Sequence, residues 1–230
     1  MNLAERDAAL RELMDDPDCD PVALAATLER FDLVNRAIGG WGRVWRLGIR
    51  PRLQRLGRPA RVLDVGSGGG DVIGRLAQWA ERDGLDVHWL GIDPDPRALE
   101  VARTRASDRV SFAATDAASL RADGETFDLV LSNHVLHHLE ADELTEFAID
   151  TRALSAGTVM HADIERGALA YALYGMGITA LERGTFLRTD GLRSIRRSYR
   201  AGELQSALGE PWRVASPAPF RLLAVADGDG

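Results

Sequence analysis

Val62-Leu63-Asp64-Val65-Gly66-Ser67-Gly68-Gly69-Gly70 is the stretch that decides the fold. The apolar residues read as a buried strand. The glycines lack a Cβ, so the backbone can turn at positive φ and lie close to a ligand at the N-terminus of the following helix. The next predicted strand, residues 87–92, runs into Asp93, whose carboxylate is placed to accept both hydroxyls of a ribose. Strand, glycine turn, helix, strand and acid together make a nucleotide-cofactor cradle. The glycine turn alone is also compatible with an NAD site or a plain tight turn.

Asp64 separates these readings. It sits inside the strand, where a dinucleotide-binding strand is usually uncharged, and a buried carboxylate needs a cationic or hydrogen-bonding partner. The amino group of a methionyl moiety supplies one. From here the chain resembles the class I S-adenosylmethionine-dependent methyltransferases over roughly residues 58–163. Leu63 to Gly70 is similar to their first motif, and Gly91-Ile92-Asp93-Pro94 to the acidic end of their second strand. Ala114-Thr115-Asp116-Ala117 resembles the loop whose acid meets the adenine amino group, and Phe127 to His134 the fourth strand and its exit. The resemblance implies S-adenosylmethionine as cofactor and S-adenosylhomocysteine as product. It assigns the donor site to Asp64, Gly66, Ser67, Gly68, Gly70, Asp93, Pro94, Asp116, Ala117, Asn133 and His134. It also implies a Rossmann-like α/β fold, a seven-stranded, mostly parallel sheet whose last strand is antiparallel.

The periodicity of the flanking sequence agrees. Short apolar runs near 61–66, 87–92, 109–114, 127–132 and 156–162 alternate with helical patterns near 70–82, 95–105 and 142–154, as in a parallel sheet with helices on both faces. Apolar stretches near 212–216 and 220–226 complete it. Upstream, residues 3–14, 22–38 and 41–56 carry helical patterns, with Pro21 at a helix start. We therefore expect a helical extension over 1–57 and a cofactor-binding domain over 58–230. The connection 164–209 is too long for a simple loop and is expected to be a helical lid. Residues 167–181 hold no charge, which suits a core helix or the cover of an apolar substrate.

The formal charge of -7 argues against a general nucleic-acid binder. All 28 basic residues are arginine, so neither a Schiff-base lysine nor a phosphate-loop lysine is available. One cysteine, Cys19, excludes a disulfide within the chain. No run reaches the roughly 18 apolar residues of a spanning helix, so cytoplasmic residence is the default expectation. The arginines at 183, 188, 193, 196, 197 and 200 face only Asp190 within their stretch, which leaves a solvated face, an anionic substrate group or an acidic partner open. The apolar N-terminal stretches can pack on the lid or on a second copy, as a homodimer.

The chemistry belongs beyond the carboxyl ends of the strands, where His134, His137, His138, His161 and Asp163 are candidates. Methyl transfer is an in-line displacement and needs positioning above all; a base is needed only to take the acceptor's proton. Val135-Leu136-His137-His138 resembles the Leu-His step that carries the base in plant-type small-molecule O-methyltransferases, which implies His137 as base and His138 in reserve. His134, His137 and His138 have the i, i+3, i+4 spacing of one helical face, but no neighbouring carboxylate or cysteine completes a ligand set, so no metal is expected. Neither the motif of amino-adenine methylation nor a pocket cysteine for cytosine is present.

Ile164 to Leu204 resembles the lid of bacterial small methyltransferases found beside type III polyketide synthases, through Arg188-Thr189-Asp190-Gly191, Ser194, Arg197 and Glu203-Leu204. Thr189 departs from the histidine common there. That likeness implies a small phenolic or polyketide-type acceptor, apolar or aromatic, methylated on oxygen in natural product biosynthesis. The alternatives are C-methylation of a quinone-type ring, N-methylation of a small molecule, or a non-catalytic cofactor-binding module that recruits a partner.

Overall fold

The computed structural model describes residues 3–230. Strands β1 (Ala60–Val65), β2 (Val87–Asp93), β3 (Val110–Ala114), β4 (Phe127–Asn133) and β5 (Ser155–Ile164) are parallel, while β7 (Arg221–Asp227) runs antiparallel to both β5 and β6 (Arg213–Ala215). The order β3-β2-β1-β4-β5-β7-β6 reverses its direction of winding between β1 and β4. The carboxyl ends of those two strands therefore open the crevice in which such sheets bind ligands.

Alternation along each strand feeds two cores. Val62, Leu129, Leu131 and Met160 point to one face and Leu63, Val130 and Val159 to the other. Both faces of a central parallel strand are covered, which is why these strands read as continuous apolar runs. Helix α4 (Asp71–Arg82) lays Ile73, Leu76 and Ala80 on the first face. Helix α7 (Ala141–Ala153) lays Leu144 and Ala148 on the second. Helix α5 (Pro96–Ala102) follows β2 as expected, but α6 (Ala117–Ala122) went unpredicted.

The N-terminal region divides in three. Helix α1 (Pro21–Ile38) begins where Asp20 accepts the Val22 backbone N–H at 2.9 Å and Pro21 takes the first helical position. The segment predicted as one helix over 41–56 forms α2 (Trp41–Val44) and α3 (Arg50–Leu56), joined by a π-helical turn, Trp45–Ile49. Pro51 has no N–H to give and its ring crowds the preceding turn, so the helix widens there and Arg50 N–H bonds back to the Trp45 carbonyl. Trp41, Trp45, Ile49 and Leu53 are buried in the first core, so this part of the extension is a wall of the sheet.

Residues 3–14, expected to be helical, instead form an irregular strap across the segment expected to form a lid. That segment folds into α8 (Ala168–Gly177), α9 (Leu187–Arg197) and α10 (Ala201–Leu208). The backbone N–H groups of Leu13 and Met14 donate to the Asp190 carboxylate at 2.8 and 3.0 Å, and Arg193 and Arg200 donate to the carbonyls of Arg11 and Leu3. A short helix gains little in isolation, and here that segment supplies better partners than the strap's own backbone could. Much of the arginine cluster is thus spent within the chain. Arg196 pairs with Asp7 at 2.5 Å and fully buried Arg197 with Asp15 at 3.4 Å. The acidic partner left open by the sequence is, for these residues, the chain's own N-terminal strap. No helix among the described residues is long and apolar enough to cross a membrane.

Candidate active site

A cavity of about 960 Å³ lies over the carboxyl ends of β1, β2 and β4 and under α8, α9 and the strap. One wall is the glycine turn. Gly66 has φ +71, and a Cβ there would stand 2.5 Å from Val135 Cγ2; Gly70, at φ +76, would meet the Phe112 ring at 2.6 Å. Both positions require glycine. The Gly66 and Ser67 N–H groups donate to the Ile92 carbonyl, which fixes the turn against β2. Asp93 accepts from the backbone N–H groups of Gly68 and Asp95, both at 2.9 Å.

Asp64 is 2% exposed, and its Oδ1 has no hydrogen-bond partner among the described residues. Burial drives its pKa well above the usual carboxylate range, and the nearby Asp71 and Asp93 push it further. Asp71, also raised by burial, receives a hydrogen bond from Asn35 Nδ2 at 3.0 Å. A glycine turn open to close approach and an orphaned buried carboxylate fit a ligand that brings a cationic amino group. Asp64, Gly66, Ser67, Gly68, Asp93, Pro94, Asn133 and His134 all line the cavity. Gly70, Asp116 and Ala117 do not. Gly70 serves the turn, and exposed Asp116 caps α6 by accepting the Ser119 N–H at 2.8 Å.

The opposite wall gathers the histidines. His134, at φ +64, directly follows β4. Its Nε2 lies 2.7 Å from Arg221 Nη1, which can only donate, so Nε2 accepts and Nδ1 carries the proton. Burial and the Arg221 charge hold His134 well below its ordinary pKa. Arg221 also donates to Asn133 Oδ1 at 2.7 Å, and its own pKa is lowered to about 10 by burial. His161 is removed from the site. Ser132 and Thr151 satisfy both its ring nitrogens, it stacks on Trp212, and burial lowers its pKa to about 3.

His137 is held between two acids. Its Nδ1 lies 2.7 Å from Asp163 Oδ1, and its backbone N–H donates to Asp163 Oδ2. Its Nε2 lies 3.3 Å from Glu12 Oε1, within ion-pair range but out of line for a hydrogen bond. Burial alone would lower this imidazole's pKa; Asp163 and Glu12 outweigh it and raise the value to about 9. That direction favours the protonated ring, in which neither nitrogen has a lone pair to offer for the base role that the resemblance implies. His138 is nearer the surface, with Nδ1 3.3 Å from Asp15 and Nε2 3.7 Å from Glu12. Sequence reasoning missed Glu12, Asp15 and Arg221. The strap and β7 bring them in from more than 85 positions away, and no local motif marks them.

Residues 62–155 match the family model described as a methyltransferase domain. The ubiquinone biosynthesis O-methyltransferase of Sinorhizobium medicae is 30% identical over 214 residues, covering 92% of this chain and 79% of that protein. The protein of the same name from Rhizobium rhizogenes is 31% identical, with 80% and 79% covered. Against that of Mesorhizobium japonicum, 30% identical, 71% of this chain aligns with 64% of the relative's length. Among solved structures, the plantazolicin methyltransferase BpumL in complex with a pentazolic analogue and SAH superposes with a TM-score of 0.61 at 13% identity, covering 95% and 97% of the two chains. The DhpI–SAH complex gives 0.51 at 20%, covering 92% and 100%. At these identities the structural likeness concerns the fold.

Proposed function

Because the chain belongs to the class I S-adenosylmethionine-dependent methyltransferases, we propose that it transfers a methyl group to an oxygen of a small, largely apolar aromatic acceptor. The observation that carries this reading is one cavity with two unlike walls. The donor wall has the orphaned Asp64 carboxylate beside the glycine turn; the other sets a cluster of His137, His138, Glu12 and Asp15 among apolar side chains such as Leu173 and Ile178.

Asp64 would hold the donor's ammonium, and Asp93 the ribose hydroxyls through the lone pairs its backbone partners leave free. Gly66, Ser67 and Gly68 would give the methionyl half close backbone approach, with Pro94, Asn133 and His134 completing the walls. The motif gives Asp116 and Ala117 the adenine end, although neither lines the cavity and Asp116 caps α6. When bound, S-adenosylmethionine supplies a methyl group on a positively charged sulfur and leaves as S-adenosylhomocysteine. Leu24, Leu28, Phe31, Leu173 and Ile178 would exclude water and take an alkyl tail. His137 and His138 stand at the acceptor wall. A phenol, pyrone or quinol with an apolar substituent fits this lining, and the names of the rhizobial relatives support a quinol-type phenol.

The test is transfer of a labelled methyl group to a panel of alkylated phenols, pyrones, quinols and amines. Label on phenolic or pyrone oxygen is expected. Label on ring carbon or amine nitrogen would replace the O-methylation reading.

A further inference from the structure

The strap puts one carboxylate into the acceptor end of the cavity. Glu12 is 4% exposed and lines the same cavity as Asp64 and His137. Its Oε1 is fixed by Ser194 Oγ at 2.7 Å, with His137 Nε2 at 3.3 Å and His138 Nε2 at 3.7 Å. Among the described residues none donates a hydrogen bond to Oε2, and Glu12 itself lines the cavity. Both nitrogens of His137 face carboxylates instead. The strap's backbone is anchored on either side of Glu12, through Arg11 O to Arg193 and through Leu13 and Met14 to Asp190. A buried acid on an anchored segment, with one oxygen tied and one free, is a preorganised proton acceptor.

We infer that Glu12, delivered by the N-terminal strap, is the catalytic base for the acceptor hydroxyl, and that His137, beside its Oε1, is a positioning residue that holds the carboxylate in place. The inference rests on the O-methylation reading. As the acceptor oxygen forms its bond to the methyl carbon, the carbon–sulfur bond breaks and its electron pair stays on sulfur. The hydroxyl proton passes to Glu12 Oε2. The forming oxonium is far more acidic than the free phenol, so a carboxylate is basic enough to take that proton late in the step. Burial would raise the Glu12 pKa, but His137, His138 and Ser194 overcome it and hold it below the ordinary value. The other ionisable groups around it are Asp15 on the strap, Asp190 and Arg197 on α9 and Tyr174 on α8.

The experiment uses the full chain and the best phenolic acceptor of the panel. Glu12→Gln is expected to lower kcat about 100-fold, with S-adenosylhomocysteine affinity changed less than about threefold and part of the rate restored in Glu12→Asp. Wild-type kcat is expected to be flat from about pH 6 to about pH 8, since Glu12 is ionised throughout. A kcat that rises about tenfold per pH unit toward 9 would return the base role to neutral His137 and overturn the inference. So would a Glu12→Gln enzyme within about threefold of wild type. Glu12 Oε, His137 and His138 nitrogens lie within 4.8 Å of one another. Loss of activity in a chelator with recovery in Mn²⁺ or Zn²⁺ would therefore make Glu12 a metal ligand and overturn its role as base. A wild-type enzyme that methylates no phenol sinks the O-methylation reading itself, an outcome distinct from an active but Glu12-independent enzyme.

Discussion

The two walls of the cavity handle charge in opposite ways. On the donor wall, Asp64, Asp71 and Asp93 are all pushed above the usual carboxylate range, and the charged groups acting on Asp64 are acids. On the acceptor wall, Glu12, Asp15 and Asp163 are all held below their ordinary values, because His137, His138 and Arg197 stand among them. Where a cationic ligand is to bind, the chain omits its own counter-charge and bears the cost of desolvating a carboxylate. Where a proton is to move, it supplies both signs and fixes them. A binding wall and a reacting wall can thus be told apart by whether their ionisable groups are balanced internally.

The largest test of this contrast is Asp64→Ala. Removing the one acid left for the ligand is expected to weaken S-adenosylmethionine binding by about 3 kcal/mol, or more than a hundredfold, as for a broken buried pair. Titration calorimetry measures it. The sign with pH is fixed as well. Asp64 must be ionised to hold a cation, and burial raises its pKa, so affinity falls as pH falls through that raised value. Below it, binding releases a proton, and the measured heat changes with the ionisation enthalpy of the buffer. A proton-neutral binding reaction across that range would break the contrast.

The acceptor wall should respond in the opposite sense. His137 has its pKa raised from 6.5 to about 9, so its contribution to stability is fully present below the unfolded value and is lost as pH rises through 9. For the free protein this is on the order of 3 kcal/mol, read as a fall in Tm between those limits. Asp163→Asn should lower the His137 pKa and flatten that slope. Ser194→Ala, which frees Glu12 Oε1, should cost about 1 kcal/mol of stability and several-fold in kcat, with donor affinity unchanged.

The walls also differ in how far the sequence disclosed them. The donor wall is local: Asp64, Gly66, Gly68 and Asp93 sit at strand ends and turns whose residue types follow from backbone geometry, so they could be read within thirty positions. The sheet was legible for the same reason, since its strands are apolar runs at regular intervals. The acceptor wall is assembled from residues far apart. Glu12 reaches His137 because Asp190, Arg193, Arg196 and Arg197 hold the strap, and those contacts cancel the helical pattern of residues 3–14. A pattern of apolar positions cannot foresee that partners on another element will outbid a helix. His161 and His137 look alike in sequence, yet Ser132 and Thr151 silence one while Asp163 and Glu12 charge the other.

Asp116 gives the smallest effect and the sharpest separation of motif from site. The motif assigns it to the adenine end of the donor, whereas its carboxylate already accepts the Ser119 N–H as the cap of α6 and lies outside the cavity lining. If the cap is its whole role, Asp116→Ala costs about 1 kcal/mol of stability and lowers Tm by about 2 to 4 °C, while S-adenosylhomocysteine affinity stays within about twofold. Asp116→Ser, which can still cap, then restores the Tm. A tenfold loss of affinity in both variants would extend the donor wall to α6. The short helix that the sequence did not reveal would then be part of the binding surface, held in place by the same carboxylate that reads the ligand.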